Sequence, residues 1–109
     1  MRKATVAAPF VFAAALAAVA FAPSAAANPQ IAKKAGCTAC HDVDIQLVGP
    51  AYKDVAKKYK GDAGAAEKLA AKVRKGGKGV WGDVPMTPNE PAKISDADLK
   101  TVIAWILKL

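Results

Sequence analysis

Residues 37 to 41 read CTACH, and those five positions hold both cysteines and the only histidine of this 109-residue chain. A core histidine, a buried thiol or a structural bridge would not require the three to be neighbours. A disulfide across two intervening residues would close a very small loop and take little entropy from the unfolded chain. Zinc would need further ligands, and there is no second cysteine or histidine cluster to supply them. A catalytic dithiol of the thioredoxin kind needs a βαβ frame, and no segment reads convincingly as a strand.

Cys-x-x-Cys-His is the attachment motif of a c-type haem. The spacing has a physical reason. Two intervening residues let one helical turn present both sulfurs to the two vinyl groups on one porphyrin edge. The next residue then lies beneath the iron. On this reading Cys37 and Cys40 form the thioether bonds, His41 ligates the iron through Nε2, and the cofactor is a single covalent haem c. The sixth ligand is sought among the remaining soft or imidazole donors. Beyond the apolar amino-terminal stretch there is one methionine, Met86. It stands in VPMTP, with Pro85 before it and Pro88 two residues after. A methionine between prolines belongs to no helical stripe, and the stiff loop presents its thioether in a defined direction. A thioether opposite histidine completes a six-coordinate iron and raises its potential.

Working outward, the pattern is helical. A first helix is expected over 29–40, with the motif at its end. A second begins near Pro50 and ends at Gly61, with Tyr52, Val55, Ala56 and Tyr59 on one face. A third is expected over 63–75, capped by Asp62 and stopped by Gly76. The last starts at ISDADL, with Ser95 as N-cap, Asp98 as its capping partner and Ile94 and Leu99 as a hydrophobic staple. Leu99, Val102, Ile103 and Ile106 form its buried stripe. The glycines and prolines of GGKGVWGDVPMTPNEP forbid regular structure between the last two helices. The expected architecture is all-α, about four helices around one haem.

The amino-terminal stretch is of another kind. After Arg2 and Lys3 no charge occurs until Lys33, and positions 10–22 are thirteen apolar residues in a row. PSAAAN follows, with Ala25 and Ala27 in A-x-A spacing. This is the pattern of a secretory signal peptide, and the run is too short for a spanning helix of about 20 residues. Residues 1–27 are expected to be removed, leaving a single domain at 28–109 with no stable membrane insertion. Setting aside Arg2 and Lys3, 14 of the 16 basic side chains remain against 9 acidic ones, a net charge of +5. The lysines are scattered, with no long run, and the chain is expected to be exported. Nucleic acid is therefore not expected as a partner, and steering toward a negatively charged protein is.

GCTACH, VGPAY, GVWG and VPMTPN, in that order and spacing, resemble the small bacterial class I cytochromes c of the c-551/c-552 type, over essentially all of 28–109. The resemblance implies a periplasmic, monomeric, monohaem electron carrier that is not an enzyme. It implies Cys37 and Cys40 as attachment sites and His41 and Met86 as axial ligands. It implies that the Pro50 carbonyl accepts the proton-bearing nitrogen of His41, and that Trp81 donates its indole N–H to a haem propionate. Trp105 matches a tryptophan of the last helix, with core packing as its role. Lys72 and Arg74 are both candidates for a propionate neighbour, since the rotation of the third helix decides which points inward. The implied partners are redox proteins such as a membrane cytochrome complex, a terminal oxidase or a nitrite reductase, met through a haem edge ringed by Lys33, Lys34, Lys53, Lys57 and Lys58. Two departures stand out. Ala32 occupies a position where relatives often carry phenylalanine, which implies looser packing of the first and last helices. NEPAKIS is longer than in close relatives. The rival function is a ligand-binding or peroxidatic haem, which would need an open iron position.

Overall fold

The computed structural model describes residues 3–5, 7–15, 17 and 27–109. Most of the expected leader's end, at 18–26, lies outside the described residues. Phe10, Val11 and Phe12 are almost fully solvent-facing. The buried core draws its hydrophobic residues from Ala32 onward.

The order is α1 (Ala27–Lys34), a single 3-10 turn (Cys37–Ala39), α2 (Tyr52–Lys58), α3 (Ala65–Lys75) and α4 (Asp96–Ile106). Among the described residues there is no strand, and two isolated bridges pair His41 with Gln46 and Gly77 with Met86. The first helix is shorter than expected. Gly36 sits in the left-handed region at φ 81°, a conformation a side chain resists and glycine accepts. The Ala35 and Gly36 amides turn back to the carbonyls of Ile31 and Lys33, closing the helix in the usual glycine manner. The CTACH motif therefore stands on its own tight turn rather than on the end of α1.

The third helix starts two residues later than expected. Asp62 is not the cap: that position is Gly64, with no side-chain cap, while Asp62 Oδ1 accepts from Gly64 N at 2.9 Å and its Oδ2 takes the Lys68 ammonium at 2.8 Å. The first helical residue is accordingly Ala65. At α4 the local signals hold: Ser95 Oγ accepts from the Asp98 amide at 3.2 Å, and Ile94 and Leu99 are both buried.

The core sits where α1 and α4 cross, with α2 and α3 packed on the other sides of α4. Ala32 of α1 and Ala35 just after it are 1% and 4% exposed, set against Leu99, Val102, Ile103 and Ile106. The small side chain at Ala32 is buried in the cluster shared with α4. Tyr52 ties α2 to α4 through an edge-to-face contact with Trp105, centroids 5.8 Å apart, a favourable aromatic geometry. Trp105 is a packing residue, as expected.

Candidate haem site

A cleft of about 320 Å³ runs from the CTACH turn to the loop after α3. Cys37, Cys40, His41, Pro50, Trp81 and Met86 all line it. Its floor is the core itself: Leu99, Val102, Ile103 and Ile106 of α4 turn one side to the cleft and the other to α1.

One wall is built by residues 37–53. After the turn, Gly49 N donates to Cys40 O at 2.8 Å, Tyr52 N to Asp42 O at 2.9 Å and Lys53 N to Val43 O at 3.1 Å. The chain is thereby folded back along the motif, and Pro50 arrives beside the imidazole. His41 Nδ1 donates to the Pro50 carbonyl at 2.8 Å. A carbonyl can only accept, so the proton resides on Nδ1 and Nε2 keeps its lone pair for a metal. The ring is stacked on Tyr52, centroids 5.3 Å apart and planes 15° from parallel. On its other flank comes Gly49. A Cβ there would overlap three atoms of the His41 ring, falling 2.8 Å from Nδ1 and 2.9 Å from Nε2. The imidazole is held by a hydrogen bond, a stacked ring and a missing side chain.

Both thiols are free. Burial pushes the Cys37 thiol up from its ordinary value, an effect that the Lys93 charge and a hydrogen bond with Tyr52 only partly offset. A disulfide-exchange cysteine works with a lowered pKa, and the direction at Cys37 gives that reading no support. Burial, then Cys37, likewise holds the Tyr52 phenol protonated beyond its usual range.

The opposite wall has no regular structure. Gly77 N donates to Met86 O at 3.0 Å and Met86 N to Gly77 O at 2.9 Å, pinning Met86 to the end of α3. Three residues on, Asn89 is 5% exposed. Its backbone N–H and its side-chain Nδ2 both donate to Val73 O, at 3.0 and 3.2 Å, and Nδ2 also reaches Thr87 O at 3.0 Å. Val73 O is one of the carbonyls a helix end leaves without an intrahelical partner. Gly76, at φ 66° and ψ −154°, lets the backbone of this loop lie against α3: a Cβ there would strike Met86 O and come within 2.9 Å of Pro88 N.

The two candidate propionate neighbours separate cleanly. Lys72 lines the cleft. Arg74 turns the other way and donates to Asn89 O, Ile94 O and the Asp96 carboxylate. Trp81 is 42% exposed at the mouth, with the Lys58 ammonium 5.2 Å above its ring. Of the lysines expected at the rim, Lys58 alone is tied to the mouth in this way. Lys33, Lys34, Lys53 and Lys57 are exposed on α1 and α2, and the cationic residues that line the cleft are Lys72, Lys78 and Lys93. Gly49, Asn89 and Tyr52 act on the site in ways the motifs alone did not show. For Gly49 the signal was available, a glycine directly before the proline whose carbonyl meets the ligand histidine.

The residues fit a c-type haem. The donor set is two thiols, an imidazole of fixed tautomer and a thioether, soft and nitrogen donors suited to iron. The cleft they share is walled by valine, leucine and isoleucine on the core side.

Comparison with known proteins agrees. The family model for cytochrome c matches residues 25–109. The chain is 57% identical over 88 residues to cytochrome c-551 of Allochromatium vinosum, covering 81% of this chain and 92% of that protein. It is 53% identical over 83 residues to cytochrome c-552 of Hydrogenobacter thermophilus, covering 76% and 82%. The crystal structure of wild-type cytochrome c552 of Nitrosomonas europaea superposes with a TM-score of 0.69 at 49% identity, over 74% of this chain and 98% of that one.

Proposed function

This chain belongs to the cytochrome c family, as a small class I member of the c-551/c-552 type with a haem c bound covalently, and on that premise we propose that it is a periplasmic shuttle between redox proteins. The family is one of haem-based electron carriers. In the proposed site Cys37 and Cys40 would hold the haem by thioether bonds, and His41 and Met86 would supply the ligands to its iron. The observation that carries this is His41. Its Nδ1 proton is committed to Pro50, and it shares one cleft with Met86 and both thiols.

When bound, the haem would supply a one-electron Fe(III)/Fe(II) couple, and ligation by histidine and methionine would raise its potential. The rest is done by the chain. Tyr52, Gly49 and Pro50 hold the imidazole in one orientation and would present its Nε2 to the iron. The Gly77–Met86 bridge and Asn89 tie the loop to α3, which would keep reorganisation small. The apolar floor from α4 would keep water from the iron. No substrate pocket or general base is required, and the protein is an electron carrier rather than an enzyme. Trp81 and Lys72 stand at the mouth where the propionates would lie. Docking is transient, to an acidic redox partner, and steered by the net positive charge.

Residues 1–27 serve as an export signal, and 28–109 are the monomeric working domain. No helix among the described residues is long and apolar enough to cross a membrane. The test is the exported protein itself. Its mass should equal residues 28–109 plus one haem, a digest should place the haem on the 37–41 peptide, and redox titration should follow a reversible one-electron curve. A ferric protein that is high-spin and binds peroxide would favour the peroxidatic reading instead. The presence of Met86 in the cleft speaks against that outcome.

A further inference from the structure

The loop that carries Met86 must pass from the end of α3 to the start of α4, and one side chain touches both ends of that passage. Arg74, in the last turn of α3, extends its guanidinium under residues 89–96. Nη1 donates to Asn89 O at 3.1 Å and to Ile94 O at 2.7 Å, and Nη2 donates to Asp96 Oδ1 at 2.5 Å. The side chain is 20% exposed. We infer that Arg74 is the positioning residue of the Met86 loop, a latch that keeps the thioether in the cleft by tying Asn89 and Ile94 to α3. The inference rests on the reading of Met86 as an iron ligand.

The chemistry suits the task. A guanidinium is a planar fork with five donors and no acceptor, so it can bridge two carbonyls and a carboxylate at once. It stands at the negative end of α3, where a cation is favoured. Asp96 opens α4, where an anion is favoured. The three contacts are unequal. Asp96 is 90% exposed, so its charge is largely screened and its part in the latch is the smaller one. The two carbonyl contacts are more sheltered, and each would lose a charged donor if Arg74 were removed.

The latch is also placed to act locally. Asn89 is clasped from two sides, by Val73 O on its N–H and by Arg74 on its carbonyl. Removing Arg74 takes away one of these two ties, leaving the bonds to Val73 O and the Gly77–Met86 bridge to hold the loop. The hydrogen bonds of Arg74 reach the start of α4 at Ile94 and Asp96 and none goes to Val102, Ile103 or Ile106.

The test compares Arg74→Met, which keeps the aliphatic stem, with the parent holoprotein. Cyanide is the probe, because it reaches ferric iron only when the thioether leaves. Arg74→Met should bind cyanide roughly tenfold more tightly, the scale of losing charged hydrogen bonds. Asn89 amide exchange should quicken by a similar factor while the Ile103 and Ile106 amides of α4 stay unchanged. Asp96→Asn should shift cyanide affinity by only about twofold, and Lys75→Met, which removes an exposed charge on the same turn, should shift nothing. Should Arg74→Met give no holoprotein, Arg74→Gln, with one amide donor group, should show the same pattern at smaller size. Unchanged cyanide affinity would overturn the latch. So would equal acceleration of the Asn89 and Ile103 amides, since that describes a general loss of stability. A parent protein without thioether ligation would instead defeat the ligand assignment of Met86, and Asn89 exchange would still report on the latch.

Discussion

The two walls of the cleft are made in different ways. The histidine wall is local: His41 and Pro50 are nine residues apart, and the hydrogen bonds that fold 40–53 back on itself stay within that stretch. The methionine wall is assembled from a distance. Asn89 reaches back 16 residues to Val73, and Arg74 reaches forward 20 and 22 residues to Ile94 and Asp96. A local wall forms with little loop-closure cost, and the proposed covalent bonds would then fasten it. A wall tied across long separations forms only once α3 and α4 are in place. The carrier therefore has one side that is permanent and one that is held by cooperative, breakable contacts.

Cutting the permanent side should have the largest effect. Cys37→Ala removes one of the two proposed covalent bonds, and the yield of holoprotein should fall to near zero in haem-stained gels of the exported fraction. The chain is small, and without its cofactor it should lose most of its helix by circular dichroism. A haem-free Cys37→Ala protein with native helix content would break the asymmetry at its base.

Two glycines then sharpen the contrast. Gly76→Ala asks a side chain to adopt a glycine-only conformation, at a cost of about 1–3 kcal/mol, and also pushes it into Met86 O and Pro88 N. It should lower the unfolding temperature and weaken methionine ligation while the histidine side stays normal. Gly49→Ala presses a methyl group on the His41 ring without a backbone penalty from positive φ. Its cost should be about 1–3 kcal/mol of overpacking, read as a shifted imidazole in the proton spectrum with the methionine resonances in place. If both variants disturb both ligands equally, the walls are not independent.

The smallest effect should come from the far end of α3. The Lys68 ammonium, then the Gly64 amide, hold the Asp62 carboxyl below its usual value. A depressed folded pKa gives stability that is present above the unfolded value, near 3.9, and is lost as pH falls through the folded one. Asp62→Asn should therefore unfold slightly earlier near neutrality, and the difference should vanish in acid. Both walls should keep their ligands at every pH in that series. A loss of methionine ligation would mean that the start of α3 also supports the loop.

The same contrast separates what could be read from the sequence. The histidine wall was legible because its chemistry is compressed into a motif, and α4 because Ser95, Asp98 and its apolar stripe are local signals. The break at Gly36 was missed, since a helical pattern runs through it and only the left-handed backbone reveals the turn. Met86 stood out through its prolines, but what holds it did not. Whether Lys72 or Arg74 faces the cleft depends on the rotation of α3. Arg74 and Asn89 are ordinary surface types in a sequence, and their partners lie too far along the chain for spacing to show. The lysine rim was only partly legible for the same reason, as Lys72, Lys78 and Lys93 come to the cleft by folding.

The central claim is that the two walls meet on one iron, through His41 and Met86. The ferric absorption spectrum of the holoprotein and of Met86→Ala, recorded together near neutral pH, tests it most directly. The parent should be low-spin and show the weak near-infrared charge-transfer band of a thioether on ferric iron. Met86→Ala should lose the band, become high-spin and take up cyanide readily. A Met86→Ala spectrum identical to the parent's would place another residue on the iron and contradict the account.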